Sequence, residues 1–377
     1  MKLTVVELST KNHVVMIINW VKICKLNNWK LNIIVSTECY KILKPQLCDV
    51  SPYYNLVVLE NTQPQNFFKV LRLTKDSNYV ILNTVQWHFI FFGALSLLRG
   101  CIVSIHNSNS WFQSFKECLI FTIQENRIRG LKKVLKCGTR LTTLLARKVI
   151  LKASRLVLVS SDNMKRHILN NYNSVKKIIV VPFSLKQQKN YKVSVKEERV
   201  SVVYPGSVNT DRKNYTSFLK LVEMYPEVDF FLLGKLPDKQ IVDDIVEQLR
   251  VVNYKNLIKY DRYLSQKEFD DVMTMADILY SDLNVNYRNE IYGVSKDTGV
   301  TYLMSEYSAP LIVNSTFNNL EALDCGTFYF KGVNELQCRL DYFLNNRGMI
   351  NITRDKINRA RRQISEVEVS KTLQDVL

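Results

Sequence analysis

Glycine and cysteine are sparse in this chain, and neither is spaced for a familiar chemistry. The 377 residues hold eleven glycines and no GxG pair. That excludes the GxGxxG turn that seats a dinucleotide pyrophosphate on a helix start; the GxxxxGK[ST] phosphate loop is missing too. The eight cysteines (Cys24, Cys39, Cys48, Cys101, Cys118, Cys137, Cys325 and Cys338) include no CxxC pair, and no HxxxH occurs, so zinc spacing is absent. Eight thiols in a chain this long, mostly within apolar runs, read as buried and reduced rather than as a disulfide scaffold. The longest apolar run, His88–Leu98, falls far short of the ~20 residues that span a bilayer. Met1 leads straight into LTVVELS, which reads as a strand rather than a secretory signal. These absences point to a cytoplasmic protein.

Acid is scarce in one half only. Residues 1–190 hold 28 basic and 8 acidic side chains, net +20, whereas residues 191–377 hold 24 and 27, net −3. Between Asn126 and Ser161 there are ten cations and no carboxylate: Arg127, Arg129, Lys132, Lys133, Lys136, Arg140, Arg147, Lys148, Lys152 and Arg155. Leu131, Val134, Leu135, Leu141, Leu144 and Leu145 interleave with them, the pattern of an interfacial helix. The same pattern also suits a helix packed on a sheet with a solvated basic face. Such asymmetry implies a polyanionic partner for the first half: nucleic acid, an anionic membrane surface or an acidic substrate. No helix-turn-helix, RRM or KH signature accompanies it, so no nucleic-acid partner is expected.

What is present is an alternation of short apolar strands and amphipathic helices. Leu3–Ser9, Leu31–Ser36, Asn55–Leu59, Val80–Leu82, Cys101–Ile105, Leu156–Ser160 and Ile178–Val181 read as strands. Their runs of Val, Ile and Leu without polar alternation predict a parallel sheet covered on both faces. A polar tract follows, and a second alternation begins at Val200. We expect an α/β protein of two Rossmann-like domains facing each other across a cleft. The expected parts are a basic acceptor-side domain (1–184), a linker (185–199), a second domain (200–352) and a helical end (353–377) that crosses back to the first.

In such sheets ligands bind beyond the carboxyl ends of the strands. The strand Val200–Tyr204 ends in Pro205-Gly206-Ser207-Val208, followed by Arg212-Lys213, and Val228–Leu233 ends in Gly234-Lys235. Leu257–Tyr260 runs into Arg262-Tyr263-Leu264-Ser265. The segment Tyr292–Val313 carries Lys296 and then Thr298-Gly299 at a helix start, where unpaired N–H groups and the helix dipole favour an anion. Any one of these cations is ordinarily a surface residue; the series is the signal.

The motifs PGSVNTDRKNY, VDFFLLGK, LIKYDRYLSQKEFDDVMTMADILYSDL and YG–SK–TG–(ten residues)–P–LIV, in that order, resemble the donor domain of GT-B glycosyltransferases, nearest to family 4 and related bacterial polysaccharide and lipopolysaccharide enzymes. The resemblance covers most of 200–313. It implies transfer of a sugar from a UDP- or GDP-linked donor, without a metal or other cofactor. It further implies a growing, lipid-linked surface glycan as acceptor, a peripheral location at the inner face of the cell membrane, and retention of configuration. It places Gly206, Ser207, Arg212 and Lys213 at the donor diphosphate and Tyr263-Leu264 against the base. Lys296, Thr298 and Gly299 would meet the phosphates and the sugar, and His106 the transferred sugar. Family 4 enzymes carry two glutamates eight positions apart in this segment. Here Ser295 and Leu303 stand at those positions, with Glu306 three residues further on. An inverting reaction would need a base, and His106 and His13, with Glu7 behind them, are the candidates. His88 and His167 sit in helical contexts and are assigned no role. The alternatives are a catalytically inactive GT-B partner protein and a nucleic-acid-binding protein using the basic half.

Overall fold

The computed structural model describes residues 1–47, 53–60, 64–86, 88–124, 131–172, 176–185, 199–237, 244–287 and 290–377, and the backbone alone of 64–65, 121–124 and 131–137. Arg127, Arg129, most of the predicted linker and the side chains of Lys132, Lys133 and Lys136 lie outside the described residues. The chain divides into two compact units: Met1–Leu185 with Ser365–Leu377, and Lys186–Ile364.

Unit 1 is built on strands β1 (Lys2–Glu7), β2 (Lys30–Ser36), β3 (Tyr54–Leu59), β4 (Tyr79–Leu82), β5 (Ile102–Ile105), β6 (Leu156–Val159) and β7 (Ile178–Val180). They form one sheet in the order β3-β2-β1-β4-β5-β6-β7, with every pairing parallel. Helices α1 (Val14–Leu26), α2 (Thr37–Leu47), α3 (Pro64–Leu73), α4 (Phe89–Arg99), α5 (Ser108–Phe112), α6 (Phe115–Gln124), α7 (Leu131–Ala153) and α8 (Asp162–Asn171) make the crossovers and cover it. Side chains alternate across a strand, so one β1 strand feeds two cores. Leu3 and Val5 join Ile17, Trp20 and Ile33, while Val6 joins Ile34, Leu82 and Phe92. Burying each such aliphatic or aromatic side chain is worth roughly 1.5–3 kcal/mol. This explains why strands with two buried faces read as unbroken apolar runs.

Unit 2 repeats the scheme with β8 (Ser201–Pro205), α9 (Thr216–Met224), β9 (Asp229–Lys235), α10 (Asp244–Val251), β10 (Leu257–Tyr260), α11 (Gln266–Met275) and β11 (Ile278–Ser281). A small antiparallel hairpin, β12 (Asn286–Tyr287) and β13 (Glu290–Ile291), precedes α12 (Gly299–Tyr307), β14 (Leu311–Asn314) and β15 (Thr327–Phe330). Helices α13 (Gly332–Asn345) and α14 (Gly348–Ala360) complete the unit. The sheet order is β10-β9-β8-β11-β14-β15, again parallel throughout. The last helix, α15 (Glu366–Gln374), belongs to unit 1. Its Val369 and Leu373 enter the α1 core, and Ser370 accepts a hydrogen bond from Asn27 at 2.6 Å.

Three local features differ from the sequence expectations. Cys325 and Cys338 are exposed, whereas Cys24, Cys39, Cys101 and Cys118 are buried. His88 is not helical; it caps α4 in the left-handed region (φ 57°). The β12–β13 hairpin has no counterpart in the sequence reading, because strands of two residues carry no periodicity.

Candidate donor and acceptor sites

In each sheet the strand order reverses direction beside its first strand, and that switch point opens a crevice at the carboxyl ends. In unit 2 the switch lies between β8 and β11. A cavity of about 250 Å³ opens there, lined by Gly206, Ser207, Arg212, Lys213, Lys296, Thr298 and Gly299 among others. Seven of the nine expected donor residues therefore converge. The other two do not line it: Tyr263 is 76% exposed on the loop after β10, with Lys235 Nζ 5.5 Å from its ring centre, and Leu264 is beside it. The neighbouring Arg262 and Ser265 are engaged in capping α11, through an Arg262–Glu268 ion pair and a Ser265–Glu268 capping box.

Two glycines shape the cavity floor. Gly206 turns the chain after β8 at φ 90°, a conformation that side chains strain to adopt. A Cβ on Gly234, at the end of β9, would lie 2.2 Å from the Gly206 carbonyl oxygen, so the two strand ends touch backbone to backbone. Lys213 Nζ donates to the carbonyls of Pro205 and Gly206 at 2.7 and 3.1 Å and sits 4.7 Å from the centre of the Tyr204 ring. Burial of its ammonium, with Arg212 adding like-charge repulsion, pushes its pKa down to about 7. On the opposite wall Thr298 is the N-cap of α12 but makes no side-chain cap bond, and a Cβ on Gly299 would meet open space. The first turn of α12 thus faces the cavity with its N–H groups.

A residue that sequence reasoning missed organises the cations. Glu290, on β13, accepts from Lys296 Nζ at 2.6 Å and from the Tyr292 hydroxyl at 3.0 Å, and lies 3.7 Å from Arg212. Arg212 also packs over the rings of Tyr287 and Tyr292, at 5.1 and 5.8 Å. Burial is the main reason the Tyr292 hydroxyl titrates above its usual range, and Glu290 adds to it. The clue in the sequence was an acid six residues before Lys296, which is weak until the hairpin folds it back.

The two positions where family 4 carries glutamates are placed differently. Leu303 lines the cavity. Ser295 does not: its hydroxyl accepts from Ile291 N–H at 2.8 Å and closes the loop before Lys296. Glu306 is buried in α12 and lies outside the cavity lining.

In unit 1 the switch lies between β1 and β4. Here His13, ahead of α1, and His106, after β5, meet with ring centres 4.0 Å apart and planes tilted by 44°, and Phe183 meets both edge-on. Behind them Glu7, fully buried, accepts from Asn83 Nδ2 at 2.7 Å and from the N–H groups of Ser9 and Thr10. Burial raises the Glu7 pKa, and bonds from Thr84 and Asn83 partly offset it. Thr84 Oγ1 is 2.8 Å from His13 Nδ1, and His106 Nε2 is 2.8 Å from the Asn83 carbonyl oxygen. Glu7–Thr84–His13 is therefore a continuous hydrogen-bonded chain ending on an imidazole, which orients that ring. Asn83 and Thr84 were not singled out from the sequence; their signal is a polar Asn-Thr pair directly after the apolar β4 run.

Of the basic patch, Arg140 and Lys148 are on α7, with Lys148 exposed and 5.2 Å from the Phe115 ring centre. Arg147 turns inward. Its guanidinium lies between Phe89 and Trp111, donates to the Ser110 carbonyl at 2.8 Å, and burial lowers its pKa to about 10. Among the described residues no helix is long and apolar enough to cross a membrane.

No protein-family model matches the sequence, and no curated protein matches it. Solved structures do match. Alr3699/HepE of Anabaena, in complex with UDP and glucose, superposes with a TM-score of 0.65 at 12% identity, covering 100% of this chain and 98% of that one. A glycosyltransferase of Rickettsia africae gives 0.61 at 14% identity, covering 100% and 97%. The UDP-GlcNAc 2-epimerase of Neisseria meningitidis, bound to UDP-GlcNAc, gives 0.55 at 11%, covering 100% and 99%. With its two parallel Rossmann-like sheets, the chain has the GT-B glycosyltransferase fold.

Proposed function

We propose that the protein is a nucleotide-sugar-dependent glycosyltransferase. The observation that carries this reading is the convergence of Lys296, Arg212, Gly206, Ser207 and the start of α12 on one cavity at the switch point of the second sheet. The donor class follows from the relatives: HepE is seen with UDP and glucose, so a UDP-sugar is the first candidate. On binding, the diphosphate takes the place of the Glu290 carboxylate as counter-ion to Lys296 and Arg212. Departure of the nucleoside diphosphate leaves an oxocarbenium-like sugar, and the charge developing on the leaving oxygens is met by these two cations and the α12 N–H groups. Those groups supply the stabilisation without a metal.

Retention remains the primary reading, with the leaving phosphate accepting the acceptor proton. The Glu7–Thr84–His13 chain favours a second: inversion, with His13 as base toward an acceptor hydroxyl held by unit 1. The acceptor we propose is a lipid-linked glycan, brought to the enzyme by docking of the basic α7 region on an anionic membrane surface. Flotation with anionic but not neutral vesicles is the expected behaviour.

A screen of UDP-, GDP- and CMP-sugars for thermal stabilisation, followed by product analysis with the best donor, tests the reading. Transfer of labelled sugar to a lipid extract supports it. Stabilisation by none of them would favour an inactive partner protein, and interconversion of the free nucleotide sugar would favour an epimerase.

A further inference from the structure

Unit 1 contains a second, larger concavity, distinct from the histidine site. It measures about 670 Å³, and its walls are Phe67 and Phe68 of α3, Phe89, Ile90 and Ala94 of α4, and Thr143 of α7. That size is typical of small-ligand pockets, roughly 300–1,000 Å³. The wall is aromatic and aliphatic, with His88, Thr142 and Thr143 as its polar members. A wall so largely apolar offers few partners for the hydroxyls of a sugar and suits a hydrocarbon.

The helix that contributes more of the wall than any other, α4, is apolar on nearly every side. Phe91, Phe92 and Leu95 of α4 point into the core, yet Ile90 is 90% exposed, Leu97 66% and Leu98 57%. Phe68, across the pocket, is 69% exposed. A helix with no polar face is ordinarily covered, and a contiguous apolar surface with a concavity marks a binding site. The surroundings specify the other end of the ligand. Helices α3, α4 and α7 contain no Asp or Glu, while Lys69, Arg72 and Lys148 are exposed on them. A hydrocarbon chain carrying an anionic head is complementary to this combination.

Its position ties it to the candidate chemistry. The loop after β4 delivers Asn83 and Thr84 to His106 and His13, and four residues later His88 begins the pocket wall. One short segment thus serves both the imidazoles and the pocket.

We propose that the α3–α4–α7 pocket binds the hydrocarbon chain of the acceptor lipid, a single isoprenoid or fatty-acyl chain whose phosphate head lies on the basic rim. The identity of the lipid as acceptor rests on the transferase reading; binding of the chain does not require the donor. The test uses the full-length protein without detergent. Fluorescent parinaric acid is titrated in, then competed with farnesyl phosphate and, separately, with inorganic pyrophosphate. Ala94→Trp fills the pocket, and Thr143→Trp fills it from the other wall should the first variant fold poorly, as judged by circular dichroism. The expected result is saturable one-to-one binding displaced by farnesyl phosphate but not pyrophosphate. Either folded variant should bind at least about tenfold more weakly while its stabilisation by UDP is unchanged. Equal probe binding by wild type and folded variants overturns the proposal, as does no binding by a wild type that UDP stabilises. Loss of vesicle flotation in the variants with probe binding intact also overturns it, since the face would then be a bilayer-docking surface. Chain binding in a protein that no nucleotide sugar stabilises would uphold the pocket and remove the transferase reading.

Discussion

The crevice of the first sheet and the crevice of the second are made by the same strand order and filled with different chemistry. In unit 2, β8 ends in a glycine turn, and Arg212, Lys213 and Lys296 gather with a single carboxylate, Glu290, among them. In unit 1, β1 ends in Glu7, Asn83 and Thr84 follow β4, and two imidazoles tilted against each other are hydrogen-bonded to that pair. Strand order decides where a ligand goes; the residues just past the strand ends decide which ligand and what is done to it. One crevice gathers cations around a carboxylate, and the other gathers imidazoles over buried hydrogen-bonding groups.

On the inverting reading, loss of the base has the largest effect on turnover: His13→Ala is expected to lower transfer by ~10²–10⁴, the usual worth of a positioned general base, with stabilisation by UDP unchanged. An initial-rate assay beside a thermal-shift titration checks both halves; unchanged turnover would leave retention as the only reading of the site. Gly234→Ala breaks the other crevice by packing. Its Cβ would sit 2.2 Å from the Gly206 carbonyl, so unit 2 should lose about 1–3 kcal/mol in denaturant unfolding, and UDP binding should weaken with it.

A smaller change follows from pH. Burial holds Lys213 near 7, below the ordinary lysine range, so above pH 7 the unfolded chain binds more protons than the folded one. The ligand-free protein should therefore gain stability as pH rises from 7 towards 10, and lose that gain as pH falls back to 7, with no further change from this group below it. A diphosphate beside Lys213 raises its pKa again, so UDP affinity should fall across the window in which stability rises. Calorimetry in buffers of different ionisation enthalpy at pH 8 should record proton uptake on binding, and Lys213→Gln should abolish it. The smallest effect is expected from Glu290→Gln. Removing the resident counter-ion should tighten UDP by a few-fold, about 1 kcal/mol for a pair of this exposure. Weaker binding instead would make Glu290 a positioning residue for Lys296.

The parallel sheets were legible in the sequence because strands such as YVIL and LVLV bury both faces, which leaves apolar runs bounded by polar turns. The cations of the second crevice were legible for a related reason: they follow those runs directly. What could not be read depends on contacts distant in sequence or on very short elements. Glu290 reaches Arg212 across the fold through a hairpin of two-residue strands. Arg147 looked like one more cation of a basic face, but two aromatic rings from α4 and α5 draw it inward. Leu303 lines the cavity and Ser295 closes its own loop; spacing from Pro310 alone carries no information on that difference. The run FIFFGALSLL was visibly apolar, but only the packed structure separates its buried Phe92 and Leu95 from its bare Ile90 and Leu97.

The proposal stands or falls on the crevice between β8 and β11 holding the nucleotide diphosphate, and isothermal titration of UDP into the full-length protein and into Lys296→Ala decides it. One saturable site is expected in the wild type, with affinity ~10–100-fold lower in the variant, the worth of a charge-assisted hydrogen bond, and the unfolding midpoint of the ligand-free protein little changed. Equal UDP affinity in the two proteins would contradict it.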